Sequence, residues 1–311
     1  MGALDGRVVI VTGAGRGIGR AHVMFLAAEG ARLVVNDLGA AVTGDGTDSS
    51  PADEVVAEIR DAGGTAVANH ADVSDWESAR ALVELAVRTY GDLDVVVNNA
   101  GIIRDRPIWD LTEGELDSVL RVNLKGHVAP TRWAARYWKD RAERDGARDA
   151  ALVHTSSPSV MGYAGQSNYG AAKGGIATFT LVVAEELAPF GVRSNAIVPA
   201  ARTRMADAFR AWDPERPTPR TLLPTEPTAF DEWSPGNSSP LVAYLASEQC
   251  PLSGQVLLAG RGMVARMDGW HRGQFVRRDR DWTVDELASE VPALFGDAAP
   301  LVRPIQGSPF D

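Results

Sequence analysis

Apolar and polar positions along the 311-residue chain fall into two alternating periods. Short runs of four to six largely aliphatic residues recur as RVVIVTG, RLVVND, TAVANH, DVVVNNA, ALVHTSS, RSNAIVP and QVLLAG. Runs apolar on consecutive positions suit strands covered on both faces, which is the condition of a parallel sheet between two layers of helix. Between them lie stretches with the 3.6-residue period of amphipathic helices. The pattern predicts one α/β domain with a doubly wound, seven-stranded parallel sheet and helices on both faces. Residues 1–262 carry the pattern. The 202–236 interval holds Pro214, Pro217, Pro219, Pro224, Pro227 and Pro235, so it cannot be one continuous helix. Residues 263–311 form an extension in which Thr283 and Glu286 make a capping box ahead of an apolar-periodic helix.

The first run continues into TGAGRGIG and a helical pattern, then RLVVNDLG, the order strand, glycine turn, helix, strand of a dinucleotide-binding unit. Gly13 permits the tight turn, while Gly17 and Gly19, flanking Ile18, let backbone and helix approach a diphosphate at the helix's positive end. Asp37, at the end of the second strand and followed by Leu38, can accept hydrogen bonds from a ribose diol and would repel a 2′-phosphate. The expected cofactor is therefore NAD. Arg16 is placed to meet a 2′-phosphate, so NADP stays open as the alternative.

Tyr169 and Lys173 stand four apart in SNYGAAKGG, and Ser156 ends the run ALVHTSS thirteen residues before Tyr169. Positions four apart share a helix face, so a phenol and an ammonium can meet at one atom. A free phenol, with pKa about 10, needs a nearby cation to act as a base near neutrality. The trio thus suits proton transfer at a secondary alcohol or ketone, with Ser156 holding the substrate oxygen and Ser157 as its rival. No metal ligand set is called for.

In TGAGRGIG, NNAG at Asn98–Gly101, Asn123 and the Ser156/Tyr169/Lys173 set, the chain resembles the short-chain dehydrogenase/reductase superfamily from about Val8 to Gly260. The resemblance implies that Tyr169 is the general acid/base, that Lys173 lowers its pKa and grips the nicotinamide ribose, and that Asn123 holds a water linking Lys173 to solvent. It also implies that Asp72 and Val73 contact adenine, that Asn99, Ala100 and Gly101 line the adenosine side, and that Pro199 and Thr203 lie near the nicotinamide. Ala200 replaces the family's usual glycine, and Thr203 falls one position early, which puts its amide contact in question.

The strings VVNDLG, AVANHADVSD, NNAGIIRDR and QSNYGAAKGG are similar to (3R)-hydroxyacyl-CoA dehydrogenases of the multifunctional-enzyme type, which implies a 3-hydroxyacyl thioester substrate. NADPH-dependent 3-oxoacyl carrier-protein reductases and sterol or terpene alcohol dehydrogenases share several of them. A cofactor-sensing protein without catalysis is the reading from a different class, and the presence of both Tyr169 and Lys173 opposes it. In this family the 202–236 interval covers substrate, so Met205, Phe209, Trp212, Leu222, Leu223, Phe230 and Trp233 are expected to roof the pocket. Arg104 and Arg106 are placed to meet an anionic thioester carrier. The family also implies a homotetramer packed through the helices that carry Asn123 and Tyr169.

A formal charge of −10 argues against a nucleic-acid partner. The single cysteine, Cys250, permits no internal disulfide, and no apolar stretch approaches the roughly 18 residues of a spanning helix. MGALDGR lacks the apolar core of a secretory leader. A cytoplasmic protein without a membrane partner is the expectation.

Overall fold

A computed structural model describes residues 2–205, 230–269 and 274–295. Its sheet has eight strands in the order β3-β2-β1-β4-β5-β6-β7-β8. These are β1 Val8–Thr12, β2 Arg32–Asn36, β3 Thr65–Asn69, β4 Val95–Asn98, β5 Ala150–Thr155, β6 Val192–Pro199, β7 Gln255–Gly260 and β8 Met263–Arg266. The first seven pair in parallel, as the unbroken apolar runs require. β8 is the addition: it folds back antiparallel on β7, with Gly260 opposite Met263. Residues 263–266, assigned to the extension from sequence, therefore belong to the sheet.

Alternate side chains of one strand feed opposite layers. Val9 and Val11 of β1 pack with Val23 and Leu26 of helix α1 (Gly17–Ala28), with Val55 and Ile59 of α2 (Ser50–Asp61), and with the helix Ser239–Ala246. Val8 and Ile10 enter the other layer with Leu82 and Ala86 of α3 (Trp76–Tyr90), Trp138 of α5 (Gly126–Asp145) and Val183 of α6 (Ser167–Leu187). Each fully buried large apolar side chain contributes about 1.5–3 kcal/mol, so neither face can be left open. The helices begin where the local chemistry caps them: the Asp75 carboxylate accepts from the Ser78 amide at α3, and Thr112 with Glu115 forms a capping box at α4 (Glu113–Val119).

Strand order reverses beside β1, where the chain runs out to β3 and then returns to β4. The carboxyl ends of β1 and β4 thus flank a crevice, the place where such sheets bind ligands. The sheet domain is compact through Met267, and a second unit begins at Asp268. Within that extension the expected helix is present at Val284–Glu290, closed by the Thr283/Glu286 capping box, and Arg278 donates to Glu286 and Glu290 while stacking over Trp282. Arg280 also pairs with Glu286, so two arginines of the 277–281 run are engaged inside the extension. No helix among the described residues is long and apolar enough to cross a membrane.

Candidate active site

One cleft of about 300 Å³ opens at the switch point. Its walls include Gly13, Arg16, Gly17, Ile18 and Gly19 from the glycine turn, and Asp37, Leu38, Asp72 and Val73 from the ends of β2 and β3. Asn99, Ala100 and Gly101 follow from β4, and Ser156, Ser157, Tyr169, Lys173, Pro199 and Thr203 complete it. Every residue expected at a cofactor from the sequence lines this cleft, although they come from six separate segments.

The glycine turn is built without room for side chains. A Cβ on Gly19 would stand 2.1 Å from the Gly13 carbonyl oxygen, and one on Gly13, whose φ is +62°, would stand 2.7 Å from Ala100 Cα. Asn99 holds this turn in shape: its side-chain amide donates to the carbonyls of Thr12 and Gly13, both at 3.0 Å. With those carbonyls engaged behind the turn, the first amides of α1 are left to face the cleft, where the helix dipole favours an anion. Thr203 sits beside Gly17, 3.7 Å from where its Cβ would be. That places it beside the glycine turn.

Asp37 accepts from the amides of Gly15 and Gly39, each at 2.7 Å, so its carboxylate is oriented by backbone and keeps lone pairs for a diol. Arg16 pairs with Asp48 at 3.5 Å, and Arg204 lines the same wall. Burial and the Arg16 charge lower the pKa of Arg204, and Asp37 opposes them. Burial works to raise Asp72, but the hydroxyl and amide of Ser74 and the Arg121 guanidinium outweigh it and hold the carboxyl below its ordinary range.

At the other end of the cleft α6 presents Tyr169 and Lys173 on one face, both buried, with the ammonium 5.5 Å from the phenol ring centre. Lys173 Nζ donates to the Thr155 carbonyl at 2.7 Å, and Ser156 Oγ donates to the Lys173 carbonyl at 2.9 Å. The end of β5 is thereby stitched to the Tyr169–Lys173 turn of the helix. Burial pulls Lys173 down to about 7. It pushes Tyr169 well above its ordinary value, the neighbouring Ser157 hydroxyl opposing and the Asp105 charge adding to the rise. Among the protein's own groups, desolvation therefore outweighs the depression expected from Lys173. Ser156 and Ser157 both reach the cleft, and it is Ser157 that stands against the phenol.

Asn123 lies in a π-helical turn, Leu120–Lys125, between α4 and α5. Its Nδ2 donates to the carbonyls of Ile102 (2.8 Å) and Val119 (3.0 Å), while its buried Oδ1 has no partner. A Cβ on Gly101 would stand 2.5 Å from that oxygen and 3.6 Å from Lys173 Nζ, so both groups border the same small space. An orphaned acceptor beside a buried ammonium is a fitting seat for a bridging water. Asn123 itself is fully buried and stands behind the cleft wall.

Arg104 and Arg106, the candidate contacts for an anionic thioester carrier, both have acidic partners within the chain. Arg106 pairs with Glu115 at 2.8 Å, and Arg104 is tied to Thr43 and Asp45. Of the expected roof, Met205 lines the cleft, Trp233 is buried with Arg261 stacked on it, and Phe230, half exposed, lies by Gly262. Phe209, Trp212, Leu222 and Leu223 fall outside the described residues. The sequence reading missed the stretch Ala40–Gly44, which also forms cleft wall. Its signal was the length of the β2–α2 connection, Asp37–Ser49, far beyond the usual two to six residues or so.

Comparison with known proteins agrees with this architecture. The short chain dehydrogenase family matches residues 7–214. The chain is 39% identical over 303 residues to a Mycobacterium tuberculosis protein named hydroxyacyl-CoA dehydrogenase ChsB1, covering 96% of this chain and 91% of that one. It is 39% identical over 276 residues to the mouse peroxisomal multifunctional enzyme type 2, covering 88% of this chain and 34% of the longer mouse protein. The crystal structure of a short chain dehydrogenase from Mycobacterium avium superposes with a TM-score of 0.84 at 44% identity, covering 99% of this chain and all of that one. The chain is a member of the short-chain dehydrogenase/reductase family, an oxidoreductase built on its dinucleotide-binding fold.

Proposed function

We propose that this oxidoreductase is an NAD-preferring 3-hydroxyacyl-CoA dehydrogenase that interconverts a secondary alcohol and a ketone. The observation that carries the reading is the single cleft in which the glycine turn, Asp37 and the Ser156/Tyr169/Lys173 set meet. Its likeness over nearly the whole chain to a protein named hydroxyacyl-CoA dehydrogenase supports the substrate class.

A nicotinamide dinucleotide, when bound, supplies the hydride-accepting ring. Gly13 to Gly19 and Thr203 would hold its diphosphate, Asp37 its adenosine ribose, Asp72 and Val73 its adenine, and Lys173 its second ribose. The protein's own work is with the proton. Tyr169 would return the proton to the ketone as phenol and take it from the substrate hydroxyl as phenolate, a form that needs a cation beside it because burial alone keeps the phenol protonated. Lys173, charged or neutral with nearly equal ease at a pKa of about 7, passes the proton on toward the space bounded by Asn123 Oδ1. Ser156 orients the substrate oxygen.

Asp37 supports NAD, and the Arg16–Asp48 pair supports it further by engaging the guanidinium that a 2′-phosphate would use. Arg204 is the specific observation favouring the other reading, an NADPH-dependent 3-oxoacyl reductase, since it places a second cation on the same wall. The deciding experiment measures kcat/KM for NAD and NADP with 3-hydroxyacyl-CoA thioesters, and for NADH and NADPH with 3-oxoacyl thioesters. A preference for the phosphorylated pair overturns the cofactor assignment, and failure of all thioesters beside turnover of sterol or terpene alcohols overturns the substrate class.

We also propose a homotetramer formed through α5 and α6. Leu181 and Val182 of α6 are exposed, and an apolar groove runs between the helices along Ala135, Phe179 and Leu187. Light scattering after size exclusion reads the assembly directly. The lone thiol, Cys250, is buried, in keeping with a reducing cytoplasmic setting.

A further inference from the structure

The connection between β2 and α2 closes on itself. The Asp48 amide donates to the Leu38 carbonyl at 3.0 Å, and the neck is tight enough that a Cβ on Gly39 would overlap the Asp48 carbonyl oxygen. Inside the neck the Ala41 amide donates to Asp45 and the Gly44 amide to Ala41, each at 2.9 Å. Ends together and packed by its own atoms, Leu38–Asp48 is an Ω-loop.

Its tip is anchored far from its root. The Ile103 amide donates to the Val42 carbonyl at 3.0 Å, Arg104 Nε donates to the Thr43 carbonyl at 2.9 Å, and Arg104 Nη2 pairs with Asp45 at 2.9 Å. The sheet order makes this consequential. The loop leaves from β2 and is pinned to the segment that follows β4, while β1 lies between those two strands. It must therefore pass across the carboxyl end of β1, where the glycine turn sits. Ala40, Ala41, Val42 and Gly44 accordingly line the same cleft as that turn.

We propose that Leu38–Asp48 is a built roof over the dinucleotide site and that Arg104 is its latch, a positioning residue that sets how fast the cofactor enters and leaves. The inference rests on the dinucleotide reading above. The Arg104 side chain bonds Thr43 and Asp45, while its backbone carbonyl, which a substitution leaves in place, accepts from Asn168 at 2.8 Å. The hydrogen bond to Thr43 and the pair with Asp45 must open together for the tip to lift, and the two segments they span are otherwise joined by the Ile103 amide and by Ile102 packed beside Gly44. A dinucleotide threaded beneath the loop is then retained between turnovers.

Stopped-flow fluorescence of NADH binding to the full chain, with excess NAD as the chase, tests this. Arg104→Ala is expected to speed NADH release by about tenfold, the loss of roughly one good hydrogen bond with an ion pair. Capture should speed up as well, because an unlatched roof opens for entry and exit alike. Asp45→Ala, a change at an exposed side chain on the loop itself, should act in the same direction by about threefold. Arg104→Ala should add less on that background than on the wild type, since the two residues form one contact.

Release within twofold of wild type in Asp45→Ala and Arg104→Ala overturns the latch, as does faster release with slower capture, which would mark a damaged pocket. If Arg104→Ala does not fold, Asp45→Ala decides alone by the same criteria. A wild type that binds NADH normally while the variants behave like it sinks only the latch. A wild type that binds no dinucleotide sinks the functional reading together with it.

Discussion

The two ends of one sheet treat buried charge in opposite ways. At the amino ends of the strands it is paired repeatedly: Arg7 with Asp149 (2.8 Å) and Glu248 (3.1 Å), Arg193 with both oxygens of Asp149, and Arg141 with Asp92 (2.8 Å) and the Leu93 carbonyl. At the carboxyl ends it is left short around Tyr169 and Lys173, although Asp37 and Asp72 are well paired there and Arg7 Nε and Arg141 Nε lack partners at the other end. Lys173 has one carbonyl, Asp105 has only the Gln166 amide within 3.2–3.3 Å while its neighbours Arg104 and Arg106 pair elsewhere, and Asn123 Oδ1 has nothing. Satisfied charges fix geometry, and unsatisfied ones keep a capacity to bind or titrate. One end of the fold holds the molecule together so that the other can stay chemically unfinished.

Substitutions at the two ends should therefore separate stability from activity. Tyr169→Phe should cut turnover at least about a thousandfold, leaving the melting temperature within a few degrees of wild type and dinucleotide binding measurable; a near-normal rate would remove the phenol from the mechanism. Arg141→Ala at the opposite end should do the reverse. It removes the buried guanidinium from Asp92, which keeps Tyr137 and, at 3.7 Å, Arg148, so the cost in denaturant unfolding should be about 1–3 kcal/mol, with kcat close to wild type at low temperature.

Between the two serines, Ser156→Ala should lower kcat about a hundredfold and Ser157→Ala much less. Because Ser157 is the hydroxyl standing against Tyr169, the opposite ranking would transfer the substrate-orienting role to it. Asp37→Ala should raise the NADP-to-NAD ratio of kcat/KM about tenfold, and an unchanged ratio would remove its carboxylate from cofactor choice.

The smallest expected effect is at Asp105. Burial raises its carboxyl to about 6, with the Gln166 amide opposing. A carboxyl whose folded pKa lies above its unfolded value of about 4 makes the folded state bind more protons, so its contribution falls as pH rises from about 4 through 6. Asp105→Asn should be near neutral for stability at pH 4 and gain about 1–2 kcal/mol at pH 8. The same change removes a negative charge near Tyr169, so the pH profile of alcohol oxidation should move toward lower pH. A stability difference independent of pH would show that the carboxyl is not the cause.

Much of this could be read from the residues. The seven parallel strands were visible because two-sided burial leaves uninterrupted aliphatic runs, and the four dispersed parts of the active site were visible because each carries a side chain that packing alone would not select. Three features were not legible. β8 is only four residues long and follows a turn whose central residues, Arg261 and Gly262, both have positive φ. Asparagine or glycine is the usual signal at that first position, and arginine is tolerated here because Glu232 and Trp233 hold its side chain. The Ω-loop has turn-rich composition, yet its destination depends on Arg104, far away in sequence. Nor does the apolar period mark the π-turn, since i→i+5 bonding leaves no compositional trace.

That π-turn has a local mechanical meaning. It stores one residue more than an α-helical path would need. Deleting a single residue from Leu120–Lys125 would let the turn close to an ordinary α-helical path. Trp138, which donates its indole N–H to the Leu93 carbonyl at 2.7 Å, could keep its seat on the sheet while Asn123 lost its aim at Ile102. The surplus residue thus serves the placement of one amide, and the long helix behind it is indifferent to the loss.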